Sequence, residues 1–483
     1  MQGMHGKGKS GFAITVLFLV LAALAVFSFF LVRKKIAESY PWLPHYLKRE
    51  LSPDPVKKYE GTKHIMFVFA DHWEPHDDTD VARWAAEYPR FASAHRDADG
   101  VPPQHTFFWM FFRADEKKSI EYLQTLAGLS FQGLGEVEKH LHHDRDTGTG
   151  FVQKMNAAQG LANMTGANIT AEQNPRKTFG FLHGRWALDN SRGDKACHVN
   201  NELILLRELG CYADFTHPSW GRMHPKIVNE FYYATDDPDR PKSYDTGIPM
   251  KVGKPGVGDL FLFTGQSVVH FEGLKPVYDH GEVDENNLPT PKRIDAWVDQ
   301  GVHVGGRPEW IFIKVFSHGC VKSTMPVVLG EWRHKMHSYL EEKYNDGDHY
   351  VLHYVTAREG YNIAKAAEAG KTGNPNEYRD YLIAPYVNRF FTASVPYDTI
   401  SFSNGQGVMR FHGKAGDEVT AHIRAHNVQV SGGAALVSSE QKPDHTVMKL
   451  KLTGTGVAGF TFSGLMTEMI EMVPPSSDKK AAA

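Results

Sequence analysis

Only three of the 483 residues are cysteine, Cys197, Cys211 and Cys320, an odd count too small to build a disulfide framework. Charge is also sparse: 23% of residues are Asp, Glu, Lys or Arg, and they nearly cancel to a net −3. No global field therefore favours nucleic acid as a partner. No internal repeat stands out beyond an alternation of strand-like and helix-like stretches. What the chain does have is histidine, 26 of them, and imidazole is the commonest transition-metal ligand and the side chain that titrates near neutrality. With 41% hydrophobic residues over this length, the chain can bury a sizeable core, spread over two or three domains.

A short tail, residues 1–10, precedes an uncharged and nearly all apolar run from Gly11 to Val32. As a helix rising about 1.5 Å per residue it spans roughly the 30 Å hydrocarbon core. A cleaved signal peptide has a shorter apolar region ending in small residues, whereas this run ends in Phe29, Phe30, Leu31 and Val32. The expectation is a single-pass anchor in the cytoplasmic (inner) membrane, with the bulk of the chain extracytoplasmic. Lys7 and Lys9 before the run face Arg33, Lys34 and Lys35 after it, a weak pull in the opposite sense under the positive-inside rule. Residues 33–60 read as a juxtamembrane linker.

From there the pattern predicts strands near 64–70, 104–112, 135–143, 177–183, 211–216, 266–272, 309–317 and 349–356. Helices are predicted near 79–95, 115–127, 149–164, 199–209, 290–300 and 325–344, with a last helix from Ala357 closed by Gly370. Glu309 to Ser317 is mostly apolar on both faces, as suits a strand covered by helices. Repeated strand–helix units imply a parallel sheet, and seven or eight of them imply an α/β fold of the (β/α) barrel type over residues 61–372. From about Val395 the texture changes to short alternating strands with Asn404-Gly405 as a turn signal, a small β-sandwich over 395–466. Residues 474–483 are low in apolar content and read as disordered.

Glu136 to Asp144 reads Glu-Val-Glu-Lys-His-Leu-His-His-Asp. On a strand, Glu138, His140 and His142 project together, Asp144 follows at the exit, and His143 points the other way. Two or three of these groups could share one cation. Barrel chemistry sits at the C-terminal strand ends, and polar residues fall there repeatedly: Asp71, His72, Trp73, Glu74 and His76; His140, His142 and Asp144; His183, Arg185, Trp186 and Asp189; Asp214; His318. The alternative for each alone is a capping or loop residue.

At these positions the chain resembles the polysaccharide deacetylase (NodB-like) superfamily, over roughly residues 60–370. That resemblance implies a divalent metal held by one Asp and two His. Phe69-Ala70-Asp71-His72 takes the place of the family's Asp-Asp motif, with Ala70 where the general base stands. His140 falls on the first histidine ligand and Asp144 on the second, with His142 as the alternative. His183-Gly184-Arg185-Trp186 stands for the third motif and Phe316-Ser317-His318 for the last. The site so read holds a divalent metal, zinc by its ligands, between Asp71 and His140 with His142 or Asp144. Asp71 itself, Glu74 or His72 could serve as base, and His318 is the general acid with Asp214 orienting it; if His318 were a ligand, the acid would be His183 or Asp214. Trp73, Trp186 and Trp220 could stack on sugar rings, with Arg185 and Asp189 beside them. The reading is a metal-dependent hydrolase removing N- or O-acetyl groups from a polysaccharide. Two alternatives stay open: a metal-free glycoside hydrolase using two carboxylates such as Asp71 and Asp214, and a non-catalytic glycan-binding or export scaffold.

Overall fold

The computed structural model describes residues 33–111, 115–193, 195–403, 405–454 and 456–463. The expected anchor 11–32, the tails 1–10 and 474–483 and the turn residue Asn404 lie outside them. Among the described residues no helix is long and apolar enough to cross a membrane.

Lys63–Trp73 (β1), His105–Met110 (β2), Gly135–Leu141 (β3), Phe179–His183 (β4) and Cys211–Asp214 (β5) lie side by side in one sheet. Tyr232–Ala234 (β6) and Ile248–Pro249 (β7) form an antiparallel edge beyond Leu260–Leu262 (β8), which pairs with β5. Val268–Glu272 (β9) and Lys275–Asp279 (β10) make a separate hairpin. Trp310–Ser317 (β11) flanks β1 on one side. On the other side Tyr350–Val355 (β12) pairs with the first half of β1, Lys63–Val68, and β2 takes over at Ala70–Trp73. Eight parallel strands result, in a mixed α/β architecture.

The strand expected at 266–272 is therefore not part of this sheet. Its alternating pattern is satisfied by β10 across a two-residue turn at 273–274, and the sheet position belongs to the three-residue β8. Period two identifies a strand but not its neighbour.

Alternation along β1 divides two cores. Phe67, Phe69 and Trp73 join the core that holds Trp84, Leu123 and Met336 of the covering helices. Met66, Val68 and Ala70 join the core on the opposite face. The helix Ala357–Glu368 packs into that second core, held at its start by a reciprocal Thr356/Glu359 cap. At its Gly360 an added Cβ would come within 3.2 Å of Val68 and 3.3 Å of Phe263. One helix touching β1 and the exit of β8 requires the sheet to curl around it. Among the described residues no strand pairing joins β8 to β11. Residues 281–283 run beside β11 instead: Val283 N–H donates to Phe316 O (2.8 Å) and Phe316 N–H to Gly281 O (3.0 Å).

Residues 33–60, expected as a linker, carry the helices Leu43–Glu50 and Pro55–Lys58. Buried Trp42 stacks on Tyr278 at 4.7 Å, and the Arg49 guanidinium donates to the carbonyls of Asn229, Gln300 and Gly301. At the other end, eight strands between Phe391 and Ser463 form two four-stranded antiparallel sheets around one core containing Phe391, Phe402, Met409, Leu450 and Phe460. Arg424 of this unit donates to the carbonyl of Phe131.

Candidate metal centre

At the exits of β1 and β3 three donor atoms converge. His140 Nε2 lies 2.8 Å from Glu74 Oε1, His142 Nε2 lies 3.3 Å from the same oxygen, and the two ring nitrogens are 3.0 Å apart. His140 Nδ1–H donates to Leu182 O (2.8 Å), so the neutral ring turns its Nε2 lone pair toward the cluster. The circle through the three atoms has a radius of about 1.8 Å, so one ion can stand at the ~2.0–2.1 Å zinc–ligand distance from all of them. Burial alone would raise the Glu74 carboxyl pKa; the imidazoles of His140 and His142, when protonated on Nε2, hold it well below the usual range by hydrogen bonding and charge. Burial lowers the pKa of His140. His72 belongs to the same group, its ligand atom within 4.8 Å of those of Glu74 and His140.

The cluster opens to solvent. His142 is 29% exposed and Glu74 24%, against 0% for His140. His318 stacks on His72 at 4.3 Å, and Trp186 approaches both rings at 5.8 Å. Half-exposed Trp220 meets Trp186 edge-on at 6.2 Å. His318 Nδ1 faces Glu282 Oε1 at 3.7 Å. Burial works against a charge on His318, and the neighbouring Glu282 carboxylate with the charges of Glu74 and Asp71 outweighs it, raising its pKa. The turn Gly184–Trp186 supplies the floor. A Cβ at Gly184 would fall 2.4 Å from the His142 ring, so only glycine lets the ring lie there.

Asp71, expected as a ligand, is elsewhere. It shares its face of β1 with Phe69 and Trp73, toward the helices, while His72 takes the other face with Ala70. Its Oδ1 accepts from Gly319 N–H (2.7 Å) and its Oδ2 from His105 Nε2 (3.1 Å), whose Nδ1 accepts from Arg333 (3.1 Å). Burial raises its pKa to about 7. Asp144 pairs with exposed Arg185 at 2.6 Å, away from His140 and His142. Trp73 is wholly buried beside Phe107 and Tyr122 and reaches no opening. Asp214 accepts from the Thr216 N–H and O–H at 3.0 and 2.7 Å, so the carboxylate facing His318 is Glu282. Asp189 is buried under the loop, accepting from Ser243 N–H (2.6 Å), and burial pushes its pKa up to about 9.

His183 faces away from the opening, into a second group. Its Nε2 lies 2.9 Å from His143 Nε2 and 3.3 Å from Glu202 Oε1, and His143 Nε2 lies 3.0 Å from that same oxygen. Cys197 Sγ completes a set of four ligand atoms all within 4.8 Å of one another. A third group, Asp97, Asp99 and His353, already has a cation of its own: Arg379 stands 3.3 and 3.7 Å from the two carboxylates.

Sequence reasoning missed Glu74 as a ligand, Glu282, and the Cys197/Glu202 pair. The one legible sign was alternation, which sends His143 away from His142. No protein-family model matches the chain, and no curated protein matches it closely enough to suggest kinship.

Proposed function

We propose that the Glu74/His140/His142 cluster is the centre of a metal-dependent carbohydrate deacetylase, built on an open (β/α) barrel of the polysaccharide deacetylase type. The observation that carries this reading is the convergence of two imidazole Nε2 atoms and one carboxylate oxygen at an opening rimmed by Trp186, Trp220 and His318. Two histidines and one glutamate with room for water are a catalytic zinc donor set. The eight parallel strands, curled around the helix Ala357–Glu368 and spanned at their seam by residues 281–283, support the barrel.

A divalent ion held here supplies polarisation of the acetyl carbonyl and a water acidic enough to give hydroxide near neutral pH. Glu74, His140 and His142 would hold that ion, and in the hydrolysis the oxygen of water would be added to the acetyl carbon as the C–N or C–O bond to the sugar breaks. His318, with Nδ1 toward Glu282, gives the proton on Nε2 to the leaving amine or alkoxide. Acetate would leave with the water oxygen and give up its remaining proton to solvent, and His318 would regain its proton from the next water. Trp186 and Trp220 offer ring faces to a sugar. Asp71 and Asp214 are both wholly buried and hydrogen-bonded, which disfavours a glycoside hydrolase that uses them as its carboxylate pair. The apolar run Gly11 to Val32 supports tethering of this domain outside the cytoplasmic membrane, where polysaccharide is met.

Acetate release from N- and O-acetylated oligosaccharides by zinc-loaded protein tests the reading. Release that disappears in the His140→Ala variant supports it. Oligosaccharide binding without release would overturn it in favour of a glycan-holding scaffold.

A further inference from the structure

From the buried group behind the open cluster, we infer that His143, His183, Cys197 and Glu202 form a second, closed site for a divalent transition metal, zinc by its donors, that fixes the loop carrying Trp186. His143, Cys197 and Glu202 take no part in the proposed hydrolysis, and the inference holds whether or not the open cluster is catalytic.

The geometry is that of one ion with four protein ligands. His183 Nδ1 donates to Gly184 O (2.6 Å), which turns its Nε2 lone pair inward. Asp146 Oδ2 sits 3.2 Å from His143 Nδ1, the outer carboxylate that accompanies many ligand histidines. Two inward nitrogens 2.9 Å apart, with a carboxylate oxygen 3.0 and 3.3 Å away, again lie on a circle of about 1.8 Å radius, inside the ~2.0–2.1 Å reach of zinc. The sulfur, within 4.8 Å of the other ligand atoms and 3.7 Å from the second Glu202 oxygen, takes the fourth position, where a zinc–sulfur bond of about 2.3 Å would be longer than the other three. Among the described residues no lysine or arginine pairs with Glu202. The histidine and glutamate side chains are 0% exposed, and the surroundings are apolar: Phe151, Phe181, Leu188 and Leu203. A closed four-ligand set without a place for water is a structural site.

The loop shows what such a site would hold. Residues 184–201 connect β4 to the helix Glu202–Glu208, and among their described residues the Gly184–Trp186 turn is the only regular element. Five of its non-glycine residues, Arg185, Trp186, Asp189, Asn190 and His198, have positive φ between 49° and 79°. Such conformations persist where surroundings over-determine them, and a long irregular loop needs a clip. Ligands at its start (His183), within it (Cys197) and just past its end (Glu202) are placed to be that clip.

The test replaces zinc by cobalt in the full chain purified without chelator. A thiolate ligand gives cobalt(II) a charge-transfer absorption in the near ultraviolet, which histidine and carboxylate ligands do not. The wild-type protein should show it, Cys197→Ala should lose it together with about one metal per chain, and His140→Ala should keep it. If Cys197→Ala fails to fold, Cys211→Ala and Cys320→Ala decide the sulfur: persistence of the band in both supports Cys197, loss in either overturns it. A cobalt-loaded wild type without the band overturns the site outright. None of these readouts depends on turnover, so failure of the deacetylase reading would leave them intact.

Discussion

Two clusters that draw on the consecutive residues His142 and His143 use nearly the same triangle of donors, two imidazole Nε2 atoms and a glutamate oxygen. Around His140, His142 and Glu74 the edges are 2.8, 3.0 and 3.3 Å; around His143, His183 and Glu202 they are 2.9, 3.0 and 3.3 Å. The fourth direction separates them. In the first it opens toward Trp186 and His318, and in the second a thiol closes it. The donor triangle alone thus tells little about role. What the surroundings leave at the fourth vertex, water or sulfur, decides between chemistry and support.

Removing one member of each triangle separates the two clusters most strongly. His140→Ala should abolish measurable turnover while lowering Tm less than Glu202→Gln does, because only one buried ring and its bond to Leu182 O are lost. A comparable Tm loss from both clusters would erase the distinction. Next in size, His318→Ala should lower kcat by about 10²- to 10⁴-fold, the worth of a general acid, with metal content unchanged. Loss of metal in that variant would make His318 a ligand and move the open cluster toward the closed type.

Glu202→Gln should act in the opposite sense. Removing the buried carboxylate between two imidazoles costs about 3 kcal/mol or more, roughly 6–12 °C in Tm, and kcat should fall far less than in His140→Ala. A Tm within about 2 °C of wild type would show that the closed cluster supports nothing.

The smallest effect sets the pH range over which the clusters can be compared. Half-buried His64 lies 2.9 Å from His353, away from both clusters, and burial with the His353 charge lowers its pKa to about 4. Between pH 6.5 and about 4 the unfolded chain holds a proton there that the folded chain does not, so stability falls as pH falls through that window. His64→Gln should recover a few °C of Tm at pH 5 and nothing at pH 8, an amount kept small by solvent screening. Metal titrations of the two clusters are therefore best made above about pH 6.5, where this change in stability is absent.

Much of the fold was legible because its strands and helices obey local rules. The apolar run at Trp310–Ser317, the helix from Ala357 closed by Gly370 and the alternation of Glu136 to His142 each require only neighbours in sequence. The short β8 was not legible: three residues carry no period, and a nearby alternating stretch paired elsewhere. In the site, alternation placed His140 and His142 together and sent His143 away. The same rule, counted one residue differently on β1, separates Asp71 from the opening and leaves Glu74, beyond the strand end, to reach the two histidines.

The sequence by itself determined the alternating strand–helix order, the pair His140/His142 on one face, and the change of texture near Val395, because propensity and side-chain period act over a few residues. Only the tertiary structure decided which carboxylates complete each cluster. Glu74 comes from a different strand than His140, and Glu202 follows a long irregular loop, so their distances to the histidines depend on sheet order and curl. No local pattern encodes such distances. For the same reason Cys197, unremarkable as one of three cysteines, acquires its meaning only where the loop lays it against His143 and His183.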